Sequence, residues 1–299
     1  MFEKSTGMRK NTIILASFLM AVSVSGAHAQ NCPGNPNALG VSRTVQIDTT
    51  GGQAFGFSHY KIHDFLQHKE VILTFDDGPQ EKWTDMILQA LKRHCTKATF
   101  FSVGKMAMSM PDIIRRVHAD GHTVGTHTWS HPDLRKKKFR ANEAAMGIDE
   151  IETGLSAVKL ALGGKPVAPF FRYPFLRDSK ETITHLAKRN MGIFAMDVDS
   201  FDFRKVFRRD PQKLVVSIMK KLKKSGKGIL LMHDIQPAAA KALPNLLDSL
   251  KAEGFKIVHM IAAFPATSLP KYDKEVVKKL RIPQIGGSRP TGSVVKTIQ

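Results

Sequence analysis

Asp76 and Asp77 are adjacent carboxylates at the point where an apolar run, residues 71–75, meets a Gly-Pro pair. Neighbouring side chains at a strand end point in different directions, so two such acids can serve two partners, for example a cation and a water molecule. Asp and Gly before Pro also form ordinary turns. The run alone therefore leaves catalysis and a plain turn open as alternatives.

Two imidazoles form a second candidate set. His127 and His131 are four residues apart, a spacing that places both rings on one side of a helical turn, within reach of one cation. With Asp77 the set becomes two nitrogens and one oxygen. Such a donor set leaves an open position for water on zinc or a similar divalent ion. The residue types therefore predict a metal site.

The elements that position these residues follow from the apolar pattern after residue 69. Short apolar runs predict strands at residues 71–75, 98–103, 122–125, 168–172, 192–196, 228–232 and 256–259. Amphipathic stretches between them predict helices at residues 82–94, 111–119, 141–162, 180–189, 211–224 and 239–253. Strict alternation favours an α/β fold, in which crossover helices wind a parallel sheet that is open or closed as a barrel. About seven units suit a barrel with one unit missing.

In such folds the catalytic side chains follow the strand ends. Five of the predicted strands are followed by polar residues: Asp76 and Asp77, His127 and His131, Arg172, Asp197 and Asp199, and His233 and Asp234. The pattern predicts that these side chains meet at one end of the sheet. Asp197 and Asp234 receive no role from it.

Five segments occur in the order and spacing of the polysaccharide deacetylases: TFDDGP at 74–79, HTWSH at 127–131, RYPF at 172–175, and residues 199–203 and 230–233. Over residues 70–262 the chain resembles the NodB-homology domain of carbohydrate esterase family 4. The resemblance implies a distorted (β/α)7 barrel of the NodB-homology, glycoside hydrolase-deacetylase type. It places the site at the strand ends, as the alternation does.

The resemblance also implies roles for individual residues. Asp77, His127 and His131 would hold one divalent metal, Zn²⁺ first, with Co²⁺ or Ni²⁺ as alternatives. Asp76 would be the general base that takes a proton from the attacking water. Arg172 would keep Asp76 ionised and oriented.

On the leaving-group side, the resemblance implies that His233 is the general acid that protonates the departing amine. Asp199 would bond to its other ring nitrogen. On the substrate side it implies an oxyanion donor at the Phe175 backbone N–H, an acetyl pocket lined by Leu231, and a place for Trp129, which could instead be a core aromatic. Two departures, Leu176 for a common glycine and Phe203 for a common tryptophan, leave substrate preference less certain than reaction type.

The predicted activity is metal-dependent hydrolysis of N-acetyl groups on N-acetylglucosamine units of a glycan, with release of acetate. Chito-oligosaccharide, peptidoglycan and poly-N-acetylglucosamine all fit as substrates. Within the enzymes the alternative is an O-acetyl esterase acting on xylan, because the same site can cleave an ester. Outside the enzymes, the alternatives are a non-catalytic basic glycan-binding protein of the cell envelope and a polyanion-binding protein that functions through its charge.

The first residues predict export. Lys4, Arg9 and Lys10 precede an apolar run at 13–24, and the segment 27–29 has the small-x-small pattern of a cleavage site. Residues 1–29 are thus a predicted signal peptide, which implies a periplasmic or secreted protein. An uncleaved anchor is the alternative, although an anchor needs about 20 apolar residues. We divide the rest into an N-terminal extension (30–69), the deacetylase domain (70–262) and a basic tail (263–299).

The chain is strongly basic, with a formal net charge of +19. Basic clusters lie at residues 135–140, 204–209, 220–227 and 278–281. Outside the cytoplasm such charge favours contact with anionic envelope polymers, and we expect a monomer with no nucleic-acid partner. A solvated basic surface without any partner is the alternative. Cys32 and Cys95 could pair in an oxidising compartment, but sequence cannot supply the required geometry.

Overall fold

The computed structural model describes residue 1 and residues 32–139 and 144–280. Its strands are β1 (Arg43–Ile47), β2 (Ala54–Phe55), β3 (Glu70–Asp76), β4 (Thr99–Ser102), β5 (Thr123–Thr126), β6 (Phe170–Phe171), β7 (Gly192–Phe194), β8 (Val198–Asp199), β9 (Gly228–His233) and β10 (Lys256–Ala262). Its helices are α1 (Phe57–Tyr60), α2 (Glu81–Arg93), α3 (Gly104–Ser109), α4 (Pro111–Ala119), α5 (Ala144–Ala161), α6 (Lys180–Lys188), α7 (Lys205–Arg209), α8 (Pro211–Ser225), α9 (Pro237–Ala252) and α10 (Pro270–Lys279). Short 3-10 turns lie at Lys137–Phe139 and Pro174–Leu176.

The strand ladders found among the described residues are all parallel. β3 pairs with β4 on one side and β9 on the other, and the sheet continues from β4 through β5 and β6 to β7. β7 and β8 follow each other within residues 192–199, and β8 pairs with β9. The ring of strands therefore closes, with helices outside it. The predicted α/β fold class is confirmed.

Strand alternation explains which side chains reach the site. Along β3, Val71, Leu73 and Phe75 pack in the cluster that includes the helices, whereas Ile72 joins the inner cluster with Phe101 and other residues of the ring. Because the side-chain period of a strand is two, Thr74 and Asp76 share the inner face with Ile72. The end of β3 thus delivers Asp76 into the mouth of the barrel.

The seven strands and six helices predicted from the sequence are present in the described residues, with ends shifted by a few residues. The N-terminal extension contains more regular structure than expected. β1 pairs with β10 and β2 pairs with β7, so this segment completes the sheet. These strands were missed because they are short and half-buried, which leaves a weak apolar pattern. Helix α10 similarly lies in the predicted tail.

The N-terminal segment is also tied to the domain covalently. Cys32 is bonded to Cys95, just after α2, with their Cα atoms 5.7 Å apart. Among the described residues no helix combines the length and apolar character that a membrane crossing requires. The predicted signal peptide lies outside the described residues, apart from Met1.

Two neutral imidazoles lie at the opposite end of the strands from Asp76. Burial, followed by the nearby Lys97 ammonium, lowers the pKa of His122 to about 3 and that of His259 to about 4. His122 Nδ1 accepts the backbone N–H of Ala98 at 3.3 Å, so a proton on this nitrogen would break the bond. Protonation of either ring opposes the folded state.

We expect the protein to lose stability as the pH falls from about 6.5 towards 4, because the unfolded chain then binds more protons. Each imidazole should lower the free energy of unfolding by about 2 kcal/mol at pH 5 relative to pH 7. Urea unfolding at a series of pH values measures this loss. His122→Gln keeps an acceptor without the titration and should flatten the profile; an unchanged slope would contradict the assignment.

Candidate active site

Asp76 is held by a fully buried arginine. Arg172 Nη1 donates to Asp76 Oδ1 at 2.7 Å and to Thr74 Oγ1 at 2.8 Å. The other guanidinium nitrogens donate to the carbonyls of Phe194 and Ala195. Arg172 thus fixes the orientation of Asp76 at the mouth of the barrel and balances its charge. The sequence analysis predicted this pairing.

The second acid of the pair faces the two imidazoles. Asp77 has a positive φ of 80°, which turns its side chain away from the direction of Asp76. Its Oδ1 lies 3.4 Å from His127 Nε2 and 3.1 Å from His131 Nε2. One donor atom from each of the three residues lies within 4.8 Å of the other two. The structure therefore brings together the predicted metal ligands.

The two histidines do not share a helical turn, which corrects the sequence argument for their convergence. Residues 127–131 form an irregular loop after β5, and Thr128 and His131 both have positive φ. These two bends, instead of a helical repeat, bring the imidazole centroids to 4.9 Å from each other. The four-residue spacing therefore predicted that His127 and His131 lie close together, but it did so by assuming a helical turn that is not there.

The three side chains suit a divalent cation. Asp77 Oδ1 is buried and has no hydrogen-bond partner among the described residues, a costly arrangement unless a cation compensates the oxygen. Burial alone would raise the pKa of Asp77, but His127, His131 and His233 hold it far below its ordinary value. His127 Nδ1 lies 2.7 Å from the carbonyl oxygen of Arg172, which can only accept. Nδ1 therefore carries a proton, and Nε2 is the nitrogen that faces Asp77 and that would bind a cation.

At the end of β9, next to Asp76 on β3, His233 pairs with an aspartate that the sequence argument missed. Its Nδ1 lies 2.7 Å from Asp202 Oδ1, and its backbone N–H donates to Asp202 Oδ2 at 2.7 Å. The predicted partner, Asp199, is wrong for this bond. Asp199 Oδ1 accepts the N–H of Phe201 and caps the turn that follows β8. The positive φ of Phe201 then returns the chain, so the second acid of the segment reaches the histidine.

The Asp202 contact controls the charge of His233. Burial works against a charged imidazole, but the hydrogen bond and charge of Asp202, with smaller contributions from Asp77 and Asp76, raise the pKa of His233 to about 9. His233 is therefore a proton donor at neutral pH. Since Nδ1 is bonded to Asp202, the proton that can leave is the one on Nε2.

Asp76, the two imidazoles and His233 line one open pocket of about 430 Å³. Its other lining residues are Asp77, Tyr173, Phe175, Leu176, Asp199, Phe203, Leu231 and Gln236. Phe175 has a φ of 59°, and no hydrogen bond found within the described residues uses its backbone N–H. Leu231 is buried at the pocket floor, whereas Phe175 and Phe203 are about half exposed. The pocket thus combines an apolar lining with a free backbone donor.

Sequence comparison places the chain among known proteins. Residues 65–193 match the family described as polysaccharide deacetylase. A peptidoglycan-N-acetylglucosamine deacetylase of Bacillus cereus is 32% identical over 200 residues, which are 65% of this chain and 68% of that protein. This chain belongs to the polysaccharide deacetylase family. The resemblance drawn from the five sequence segments is confirmed.

Two further proteins show how far the similarity extends. This chain is 31% identical over 194 residues to peptidoglycan-N-acetylglucosamine deacetylase PgdA of Listeria monocytogenes, and the match spans 38% of that longer protein. The solved structure of Bdellovibrio bacteriovorus peptidoglycan deacetylase Bd3279 superposes with a TM-score of 0.66 at 31% identity, over 80% of this chain and 64% of that one. The family fold is the distorted (β/α)7 barrel, as predicted.

Trp129 lies away from the pocket of this polysaccharide deacetylase, which corrects its predicted place at the substrate. Its indole is half-buried against Gly104 of α3, and its backbone N–H donates to the carbonyl of Glu150. The bend at Thr128 turns the side chain outward while His127 and His131 turn inward. Trp129 therefore anchors the loop of residues 127–131, here called the histidine loop, to the surrounding helices.

The two acids without a predicted role have structural partners. Asp197 accepts the backbone N–H groups of Ser58 and Ile229. Asp234 is buried and accepts the hydroxyl of Thr84 at 2.8 Å. Burial first, and the charge of Asp77 in addition, raise its pKa to about 7 against the effect of the Thr84 bond. Neither acid lines the active-site pocket among the described residues.

Helix α5 packs closely against the histidine loop, residues 127–131. A Cβ on Gly154 would meet the carbonyl carbon of Thr128 at 2.5 Å and the backbone nitrogen of Trp129 at 2.9 Å. Glu150, one turn earlier, accepts the N–H and the hydroxyl of Ser130, both at 2.8 Å. The loop is thus seated directly on the helix backbone.

We expect Gly154→Ala to displace this loop and lower zinc affinity by about 10- to 100-fold, the range seen when the support of metal ligands is removed. Titration calorimetry with zinc measures the change. Gly147→Ala is on the same helix, but its new methyl group would meet the Thr182 methyl group at 3.1 Å, and the three atoms nearest to it do not belong to residues 127–131. Equal zinc affinity in the two variants would contradict the prediction.

Proposed function

We propose that this protein is an exported, metal-dependent hydrolase that removes N-acetyl groups from N-acetylglucosamine units of a glycan and releases acetate. One observation carries the proposal: a carboxylate paired with an arginine and a histidine paired with a carboxylate line the same pocket. Asp76, paired with Arg172, lies beside the Asp77, His127 and His131 cluster, and His233, paired with Asp202, leaves the neighbouring strand at the same level. Amide hydrolysis needs both groups.

On the base side, the chain supplies a fixed acceptor. A divalent cation, most plausibly Zn²⁺, held by Asp77, His127 and His131 would polarise the acetyl carbonyl and acidify the attacking water. Asp76 then takes the proton of that water. Arg172 keeps the carboxylate in place through the bond to its Oδ1, so Asp76 Oδ2 remains free to accept.

On the leaving-group side, the chain supplies a proton. A sugar amine leaves poorly as an anion, and His233 can protonate its nitrogen as the carbon–nitrogen bond breaks. An ester does not need a strong acid to the same degree. A histidine held protonated by Asp202 therefore supports N-deacetylation over cleavage of O-acetyl esters.

The remaining pocket residues suit the acetyl group and its sugar. The free N–H of Phe175 can donate to the oxygen that gains charge as water adds to the acetyl carbon. Leu231 offers an apolar contact for the methyl group. The exposed rings of Phe175 and Phe203 flank the opening and can pack against sugar faces.

The substrate class rests on the relatives. Similar proteins are named peptidoglycan-N-acetylglucosamine deacetylase and chitooligosaccharide deacetylase, and both substrates contain N-acetylglucosamine. The predicted signal peptide and the Cys32–Cys95 bond support a periplasmic or secreted protein. We therefore place its action on acetylated glycan outside the cytoplasm.

Acetate release by the purified protein tests the proposal. Zinc-loaded and chelated samples are compared on chitotetraose, peptidoglycan and acetylxylan. We expect zinc-dependent release from an N-acetyl glycan. Release from acetylxylan alone would make the protein an O-acetyl esterase, and no release from any glycan by zinc-loaded protein would favour a binding role.

A further inference from the structure

A second pocket lies beside the active-site pocket and is strongly basic. This basic pocket, of about 400 Å³, is lined by Asp133, Arg135, Lys136 and Arg177. The same two loops line both pockets. On the active-site side the loops meet where the rings of His131 and Phe175 lie 4.8 Å apart, and on the basic side they meet at Asp133 and Arg177. The basic pocket is therefore a lateral extension of the site.

The basic pocket is organised by a buried acid. Arg177 Nη1 donates to Asp133 Oδ2 at 2.6 Å, and the backbone N–H of Arg135 donates to Asp133 Oδ1 at 3.0 Å. The Asp133 side chain is 10% exposed, whereas that of Arg177 is 51% exposed. The guanidinium is thus fixed on one side and open to solvent on the other. A fixed guanidinium loses little entropy when it binds an anion.

The basic pocket has a surplus of positive charge. Three cationic side chains face one carboxylate, and that carboxylate is already paired with Arg177. Within residues 32–139 and 144–280, neither Arg135 nor Lys136 forms an ion pair, and both side chains are exposed. Among the described residues, two positive charges are therefore left without an ion-pair partner next to a fixed guanidinium, which favours an anionic ligand.

The position of the basic pocket indicates where that anion would sit. Arg177 directly follows Leu176, which lines the active-site pocket, so their Cα atoms are about 3.8 Å apart. Asp133 is two residues from His131. A glycan whose acetyl group lies against Asp77 and the two histidines would place a neighbouring sugar unit over these residues.

We infer that the basic pocket binds a carboxylate carried by the sugar next to the one being deacetylated, so that the protein prefers an acidic glycan to a neutral one. The inference rests on the proposed function. In peptidoglycan, one of the proposed substrates, the carboxylate can come from a lactyl ether on the neighbouring sugar or from its peptide stem. Both present the planar anion that an arginine fork recognises.

Steady-state kinetics of Arg135→Ala/Lys136→Ala test the inference on three glycans. The first is neutral chitotetraose, the second an alternating N-acetylglucosamine and N-acetylmuramic acid oligomer without peptides, and the third the same oligomer with peptide stems. We expect kcat/KM to fall about tenfold on one or both acidic glycans, through KM, and less than about twofold on chitotetraose. A loss confined to the third glycan would assign the carboxylate to the stem.

The matched control is Lys220→Ala/Lys224→Ala, which removes the same charge from exposed positions on α8. An equal loss on neutral and acidic glycans, no loss on acidic glycans, or an equal loss in the control would overturn the inference. Activity on chitotetraose would then still support the proposed function. If no glycan is hydrolysed, calorimetric binding of the three oligomers to the native protein and both variants decides the same question without turnover.

Discussion

Replacing Asp76 with Asn is expected to lower kcat for acetate release by about 10³-fold, the contribution of a positioned general base, while zinc remains bound. The amide oxygen can still accept from Arg172, but it cannot take a proton from water. Zinc would be held by Asp77, His127 and His131, which the substitution leaves in place. Initial rates on an N-acetyl glycan and a zinc titration of the same sample measure both quantities.

Folding must be checked in this variant, because an unpaired buried guanidinium can destabilise a protein by about 3 kcal/mol. Thermal unfolding followed by circular dichroism provides the check. Asp112→Asn makes the same chemical change at an exposed position of α4 and should leave the rate unchanged. A folded, zinc-bound Asp76→Asn protein with more than about a tenth of the native kcat would show that another group is the base.

Asp202→Asn is expected to lower kcat/KM for N-deacetylation by about 10²-fold and to move its alkaline limit to lower pH. His233 must be protonated to act, so activity is present below its pKa and is lost as the pH rises through it. Burial lowers that pKa, and Asp202 is the main group that raises it to about 9. Without the carboxylate, burial lowers the pKa of His233, so the rate should begin to fall at a lower pH.

The pH profile of kcat/KM measures this shift, and 4-nitrophenyl acetate serves as a contrast because its leaving group departs without a proton. Its hydrolysis should change far less than that of the glycan. Asp199→Asn is the matched control in the same pocket, since its amide oxygen can still accept the N–H of Phe201. If Asp199→Asn shifts the profile as much as Asp202→Asn does, the structural assignment of the histidine partner is wrong.

Much of the fold could be predicted because its long, buried elements have strong patterns. β3 is buried along its whole length, and four of the five residues at positions 71–75 are apolar. β2 and β8 have two residues each and depend on strands that are distant in the sequence. A segment this short has no periodicity of its own, so only tertiary pairing makes it a strand.

At the site, the sequence predicted which residues are present better than it predicted where their side chains point. Asp76, Asp77, His127 and His131 follow strands, and the strand ends bring them together. The bends at Thr128 and Phe201 decide whether Trp129 turns inward and whether Asp199 or Asp202 reaches His233. Positive φ at such residues is imposed by the folded surroundings, and no glycine marks these positions in the sequence.

Arg172 also occupies the seam of the barrel. It binds the carbonyls of Phe194, the last residue of β7, and of Ala195, which follows it. Here the chain ends its pairing with β6, and a few residues later β8 pairs with β9. Both carbonyls accept a hydrogen bond from Arg172 at the point where the chain changes from one partner strand to another. The same guanidinium therefore binds both Asp76 and the backbone that connects β7 to β8. A substitution of Arg172 would therefore remove the cation beside Asp76 and, at the same time, the donors to two backbone carbonyls of the barrel wall.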